Sequence, residues 1–339
     1  MKLDWEVITV EPASPFRISR ETQTEVSVVW VRIGLDGSEG WGEADPAAYY
    51  GESAETVGRA IEAMRPVIES AGVPEVMQRI EADLRAAVPG NHSAHAAVTS
   101  ALYDLTGKRA GMPTWQALGL DSEASPVSSF TIGLGPPDEM ARKAEAAADY
   151  PVLKIKVGTP DDAEILAAIR EAVPGKTLRV DANAGWEAGE AETRIRQLAD
   201  FGVEFVEQPL PPDDVEGYRY LRDRSALPII HDESCLVAAD IPGLTELGHG
   251  INIKLAKCGG IGEGLRMIHT ARACGLSVMM GCMLETTLGI AAAAQLAPLL
   301  DYADLDGAAL LRADPFSGPG LQAGRIVLNS SPGLGVKLA

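Results

Sequence analysis

The sequence predicts an α/β protein: a (β/α)8-type barrel preceded by a smaller α+β unit. Short apolar, strand-like runs recur about every 25 residues, from SSFTIGL at 128–134 to YADLDG at 302–307. Between them lie stretches such as DDAEILAAIREAV, GEAETRIRQLADFG and GEGLRMIHTARACG, where apolar residues return at three- and four-residue steps. Strand and helix alternating eight times over short connections is the pattern of a parallel sheet closed into a barrel. The competing arrangement, an open doubly wound sheet, carries a glycine-rich first turn, and GLGPPDEM has prolines where that turn needs glycine and backbone N–H groups.

Along the chain, the first 30 residues lack a basic start followed by an apolar core, so no signal peptide is read. EVSVVWVRIGLDGSEGWGEA reads as two strands around an LDGS turn, and helical patterns follow from about 53 to 110. Residues 1–118 are therefore expected to form the α+β unit and 119–315 the barrel, with the tail 316–339 returning to the first unit. The net charge of −19 argues against nucleic acid or an anionic membrane as partner. The longest mostly apolar run, GIAAAAQLAPLL, is too short to span a bilayer. Four cysteines without CxxC spacing suit a reduced, cytoplasmic setting.

The ends of the barrel strands carry the chemistry, because they converge on one mouth. The second, VLKIKV, places Lys154 and Lys156 on one face, since side chains alternate along a strand. The third ends VDAN with Asp181, the fourth VEQP with Glu207, and the fifth HDES with Asp232. The sixth, NIKLAKCGG, puts Lys254 at the same level, and the eighth ends ADLDG with Asp304 and Asp306. Three carboxylates on consecutive strand ends make a hard oxygen site suited to Mg²⁺. The five histidines are scattered and do not suggest zinc.

Lysines on strands 2 and 6 face each other across such a mouth. A substrate α-carbon between them could lose its proton to one and regain it from the other, which inverts the centre. Lysine is a weak base at its reference pKa of about 10.4, and positive charge from Lys154 and a metal would lower that of Lys156. Read alone, KIK equally fits two lysines whose stems pack and whose heads reach solvent.

The motifs KIKVG, VDANAGW, VEQP, HDES and NIKLAKCGGI resemble, in order and spacing, the enolase superfamily, muconate-lactonizing-enzyme subgroup. GWGEA and ALYDLTGKRAGMPTWQALG resemble its capping domain, so the likeness covers nearly the whole chain. It implies a modified (β/α)7β barrel, one Mg²⁺ per subunit held by Asp181, Glu207 and Asp232, and a homo-oligomer. It also implies Lys156 and Lys254 as the acid–base pair, with Lys154 on the substrate carboxylate; enzymes of this superfamily use a Lys or His base with Mg²⁺. Lys257 matches a varied position and reads equally well as a structural charge.

Within the subgroup, DLD resembles the pair that binds a dipeptide's α-ammonium in dipeptide epimerases, and Thr131, Cys282, Met283 and Leu284 match positions lining the dipeptide. The expected activity is therefore epimerisation of the C-terminal residue of a dipeptide. N-acylamino acid racemase, o-succinylbenzoate synthase and cycloisomerase chemistry are the alternatives. FRISRETQTE, 16–25, matches a loop that closes over substrate. Glu21 stands where Ala-Glu epimerases carry an arginine, which favours a non-acidic second residue, whereas Arg20 beside it could instead take up a substrate side-chain carboxylate.

Overall fold

The computed structural model describes residues 1–339. The cap begins with β1 (Lys2–Val10), and after a two-stranded lid hairpin, β2 (Phe16–Arg17) and β3 (Thr22–Gln23), continues through β4 (Val26–Leu35) and β5 (Ser38–Ala44). β1, β4 and β5 form an antiparallel sheet with β4 in the centre. The LDGS turn places Asp36 and Gly37 at positive φ, 50° and 81°, as a two-residue hairpin requires. β1 is an element the sequence reading does not single out, although Lys2, Asp4 and Glu6 alternate there with Leu3, Trp5 and Val7.

Three helices, α1 (Ala54–Ala71), α2 (Met77–Ala87) and α3 (His92–Ala110), cover one side of this sheet. α3 lies so close to β5 that a Cβ on Gly40 or Gly42 would come within 2.0 Å of the carbonyl oxygens of Ala101 and Ala97. Glycine on the strand and alanine on the helix permit that approach. A separate apolar core results, built from residues such as Val29, Val31, Ile61, Met64, Val98 and Leu102.

The barrel strands are β6 (Phe130–Ile132), β7 (Val152–Lys156), β8 (Thr177–Asp181), β9 (Val203–Glu207), β10 (Ile229–His231), β11 (Gly250–Ile253), β12 (Ser277–Gly281) and β13 (Tyr302–Asp304). They are hydrogen-bonded in sequence order and all parallel. A parallel bridge between Ser128 and Ala303 brings the last strand back beside the first. After β13 comes only a short 3-10 turn, Gly307–Leu310, in place of an eighth helix. No helix is long and apolar enough to cross a membrane, and all four cysteines are free thiols.

The cap is tied to the barrel by a few specific contacts. Phe316 of the tail packs edge-on against Trp30, with ring centroids 4.8 Å apart, and against Trp41 at 5.7 Å. Asp104 of α3 accepts hydrogen bonds from the backbone N–H groups of Trp41 and Leu334, joining cap and tail. Glu43, at the end of β5, accepts from Trp30 Nε1 at 2.9 Å and from the Thr286 backbone N–H at 2.8 Å and hydroxyl at 2.5 Å.

Burial pushes the Glu43 carboxyl up to about 8, Thr286 opposes the rise, and the negative charge of Glu285 adds to it. A folded value above the unfolded 4.5 means that the stabilisation is full below pH 4.5 and is lost as pH rises through about 8. Relative to Glu43→Gln, wild type should therefore lose stability over that window, by at most ~1.4 kcal/mol per pH unit. Melting curves of both proteins from pH 5 to 8.5 check this, and parallel pH profiles would contradict it.

Candidate active site

β-sheet register sets the frame of the mouth. Lys156 pairs with Asp181 across β7 and β8, and Asp181 pairs with Glu207 across β8 and β9. Asp232 follows the last residue of β10, where its backbone N–H donates to Gln208 Oε1 at 2.8 Å. Asn183 and Gln208, just beyond two of the carboxylates, have φ of 47° and 36°. Such left-handed backbone in non-glycine residues concentrates where a site dictates the path of the chain.

The ligand atoms of Asp181, Glu207 and Asp232 all lie within 4.8 Å of one another, and each residue is at most 1% exposed. Glu207 Oε2 and Asp232 Oδ2 are buried without a well-formed hydrogen bond, although lysine ammonium groups stand about 3 Å away. Oxygen-only donors, converging and with acceptor capacity left over, fit a small hard divalent cation. Burial lifts the Glu207 carboxyl to about 7, and the neighbouring Asp181 charge adds to that. Asp181 and Asp232 are held low despite burial, the first by Lys156 and Lys154, the second by Lys254 and Lys257.

The lysines are inside the protein, which removes the reading of KIK as two solvent-seeking side chains. Lys154 is 2% exposed and Lys156 6%. The Lys154 ammonium touches Asp304 at 2.6 Å, Glu207 at 3.0 Å and Asp181 at 3.2 Å. Burial would lower its pKa, but those three carboxylates raise it well above the ordinary lysine value. Lys154 therefore remains charged.

Lys156 donates to Asp181 at 2.7 Å and to Asn183 Oδ1 at 2.9 Å. On the opposite wall, directly after β11, Lys254 lies 2.9 Å from Asp232. Lys257 is a clamp: its ammonium contacts the Asp232 carboxylate and donates to the backbone carbonyls of Asp232, Asn252 and Cys235.

Asp304 accepts from Ser129 Oγ at 2.6 Å besides its pairing with Lys154, and Asp306 accepts from the Thr131 backbone N–H at 2.6 Å. Burial and the charge of Asp304 raise Asp306 to about 7. Both line a cavity of about 590 Å³ together with Thr131, Lys154, Lys156, Lys254, Cys282, Met283 and Leu284. The lid and the loop after β5 close its outer side. Arg20 of the lid donates to Glu233 at 2.7 Å and to the Asn183 carbonyl at 3.2 Å, and its guanidinium lies 4.2 Å from the centre of the Tyr49 ring. Glu21 also lines the cavity but is exposed.

Sequence reasoning did not assign Asn183, Asn252, Glu233 or Asp45 a role. Asn252 donates to Glu207 at 2.7 Å. It stands two residues before Lys254 and so on the same strand face, a signal that was available. Asp45 and Tyr49 follow β5 in a loop without periodicity, and only folding brings them to the barrel mouth.

A parallel barrel that sets two lysines across a buried carboxylate triad has the layout of a metal-assisted acid–base enzyme. Residues 139–339 match the family model described as enolase C-terminal domain-like. Residues 4–119 match that of the mandelate racemase/muconate lactonizing enzyme N-terminal domain. The chain belongs to this family.

An L-Ala-D/L-amino acid epimerase from a Maribacter species is 38% identical over all of this chain and 99% of its own. A hydrophobic dipeptide epimerase from Roseobacter litoralis is 37% identical over 99% of this chain and 98% of its own. A dipeptide epimerase of Enterococcus faecalis, solved with Mg and L-Leu-L-Tyr, is 34% identical. It superimposes with a TM-score of 0.93 over 99% of this chain and 98% of that one.

Proposed function

We propose that this protein is a dipeptide epimerase that inverts the α-carbon of the C-terminal residue. One observation carries the reading: Lys156 ends β7 and Lys254 directly follows β11, four strands on around the barrel, and Asp304 and Asp306 line the same cavity as both lysines. Asp181, Glu207 and Asp232 are the residues to hold Mg²⁺. When bound there, Mg²⁺ supplies Lewis-acid neutralisation of the negative charge that builds on a substrate carboxylate as its α-proton leaves.

The remaining work belongs to side chains. Lys154 orients the substrate carboxylate beside the triad that would hold Mg²⁺, and Asp306 with Asp304 receives the α-ammonium at the other end. One of Lys156 and Lys254 takes the α-proton, and the other returns one to the opposite face. The lid and cap exclude water while this happens. A library of L,L-dipeptides incubated with Mg²⁺ in D₂O, read by mass spectrometry for α-deuterium, tests the assignment. Exchange into N-acyl amino acids in preference to every free dipeptide would move it to the racemase alternative.

The role of the strand-8 aspartates has its own expected result. Acetylating the α-amine of a good dipeptide removes a charge-assisted contact worth about 1.5–3 kcal/mol, or roughly ten- to a hundredfold in kcat/KM. Asp306→Asn should lose a similar factor on the free dipeptide with Mg²⁺ affinity little changed. Equal rates on free and acetylated substrate would remove this role.

A further inference from the structure

Asn183 joins the lid to one of the two lysines and not to the other. Its side-chain amide lies between two charged groups. Nδ2 donates to Glu233 Oε1 at 3.2 Å, and Oδ1 accepts from the Lys156 ammonium at 2.9 Å. An amide has a donor end and an acceptor end, so whatever fixes one end decides what the other offers. An ionised Glu233 only accepts, and it therefore turns the Asn183 oxygen towards Lys156.

The same Glu233 oxygen receives Arg20 Nη1 from the lid at 2.7 Å. That nitrogen and the Ser19 hydroxyl also donate to the Asn183 backbone carbonyl, at 3.2 and 3.3 Å. Glycine makes the seat for this tip: a Cβ on Gly158 or Gly185 would come within 3.1 or 3.3 Å of Ser19 Cβ. Gly158 lies two residues beyond Lys156, and Gly185 two beyond Asn183. The lid thus grips Asn183 by its carbonyl directly and by its amide through Glu233.

Lys254 has no such link. Its ammonium lies 2.9 Å from Asp232 and 4.0 Å from the Met283 sulfur, both on the barrel. Glu233 itself is 4% exposed, and its second oxygen, Oε2, is buried without a partner. Burying a carboxylate oxygen unpaired costs stability, so a neutral residue at 233 should leave the chain folded. Arg20, which would lose its partner, is partly exposed to solvent.

We propose that Glu233 and Asn183 are positioning residues for the Lys156 half of the proton transfer, holding that ammonium on its face of the α-carbon when the lid tip is seated. This rests on the two-lysine epimerase reading and goes further by naming the residues that couple the lid to one base.

The test uses Lys254→Ala and Lys156→Ala proteins with Mg²⁺ in D₂O and the fastest-exchanging dipeptide of the library described above, at saturation, in its L,L and L,D forms. Deuterium uptake then reports Lys156 alone in the first protein and Lys254 alone in the second. Adding Glu233→Ala should slow uptake by roughly tenfold or more in the Lys254→Ala protein, as expected when a base loses its hydrogen-bonded alignment. In the Lys156→Ala protein the same change should cost less than about threefold. Asn183→Gly, which accepts the φ of 47° without strain, should show the same one-sided loss if Glu233→Ala expresses poorly. Glu233→Gln keeps an acceptor oxygen for Asn183 and should stay within about threefold of its parent. Arg20→Met should slow the Lys156 side more than the Lys254 side. A defect in folding or metal binding would instead slow both half-reactions together. Equal falls in the two proteins overturn the proposal and leave the epimerase reading standing, as does a Lys156 side within about threefold of its parent in both Glu233→Ala and Asn183→Gly. No uptake by wild type into any dipeptide would remove both.

Discussion

Lys156→Ala and Lys254→Ala should each abolish net epimerisation, a loss of roughly 10²–10⁴-fold for removing a positioned acid or base. Each variant should still exchange the α-proton of one enantiomer with solvent. The surviving lysine can remove that proton and return one on its own face, but nothing returns it on the other. The folded state should survive both changes, because neither strands a carboxylate. Without Lys156, Asp181 keeps Lys154 at 3.2 Å, and without Lys254, Asp232 keeps Lys257. Breaking a buried pair costs most when a charge is left alone, and here a second ammonium remains. Deuterium incorporation into separate L,L and L,D substrates, followed by mass spectrometry and chiral chromatography, resolves the two half-reactions. Full inversion by either variant would sink the two-base scheme.

Removing Mg²⁺ with a chelator should stop turnover entirely, and adding it back should restore it. The triad gives this a readout apart from activity. A ligand that binds only the folded chain raises Tm with its concentration, so Mg²⁺ should stabilise the wild-type protein. Asp232→Asn replaces one of three anionic oxygen donors and should shift that titration to concentrations roughly tenfold higher or more. Lys257 would still find the Asp232 position's carbonyl and those of Asn252 and Cys235, so the variant should fold. An Asp232→Asn protein with an unaltered Mg²⁺ titration would take that residue out of the ligand set.

What the sequence revealed follows from what has a short-range signature. Strand periodicity placed Lys156, Asp181 and Glu207 at matching strand ends, and the structure pairs them in direct register. Helical periodicity found α1, whose buried Val57, Ile61, Met64 and Ile68 form one stripe, whereas α3 is buried almost all round and shows no such stripe. Charge balance inside the mouth was not legible in the same way. KIK was read as one lysine tuning the other by repulsion, yet Lys154 sits among Asp181, Glu207 and Asp304. That pairing joins residues up to 150 positions apart, which no local pattern encodes. Arg20 likewise looked available for a substrate carboxylate until its partner Glu233 came into view from another loop.

The lid hairpin and the loop after β5 reach the cavity from outside the barrel, and few of their side chains are bound to it. Lys156, Asp181, Glu207 and Asp232, in contrast, are locked by mutual hydrogen bonds and ion pairs, so that altering one disturbs several. The protein thus has a part in which inheritance is rigid and a part in which drift is cheap. A single substitution in the lid or in the loop after β5 disturbs few such contacts, whereas one at Lys156, Asp181, Glu207 or Asp232 disturbs several at once.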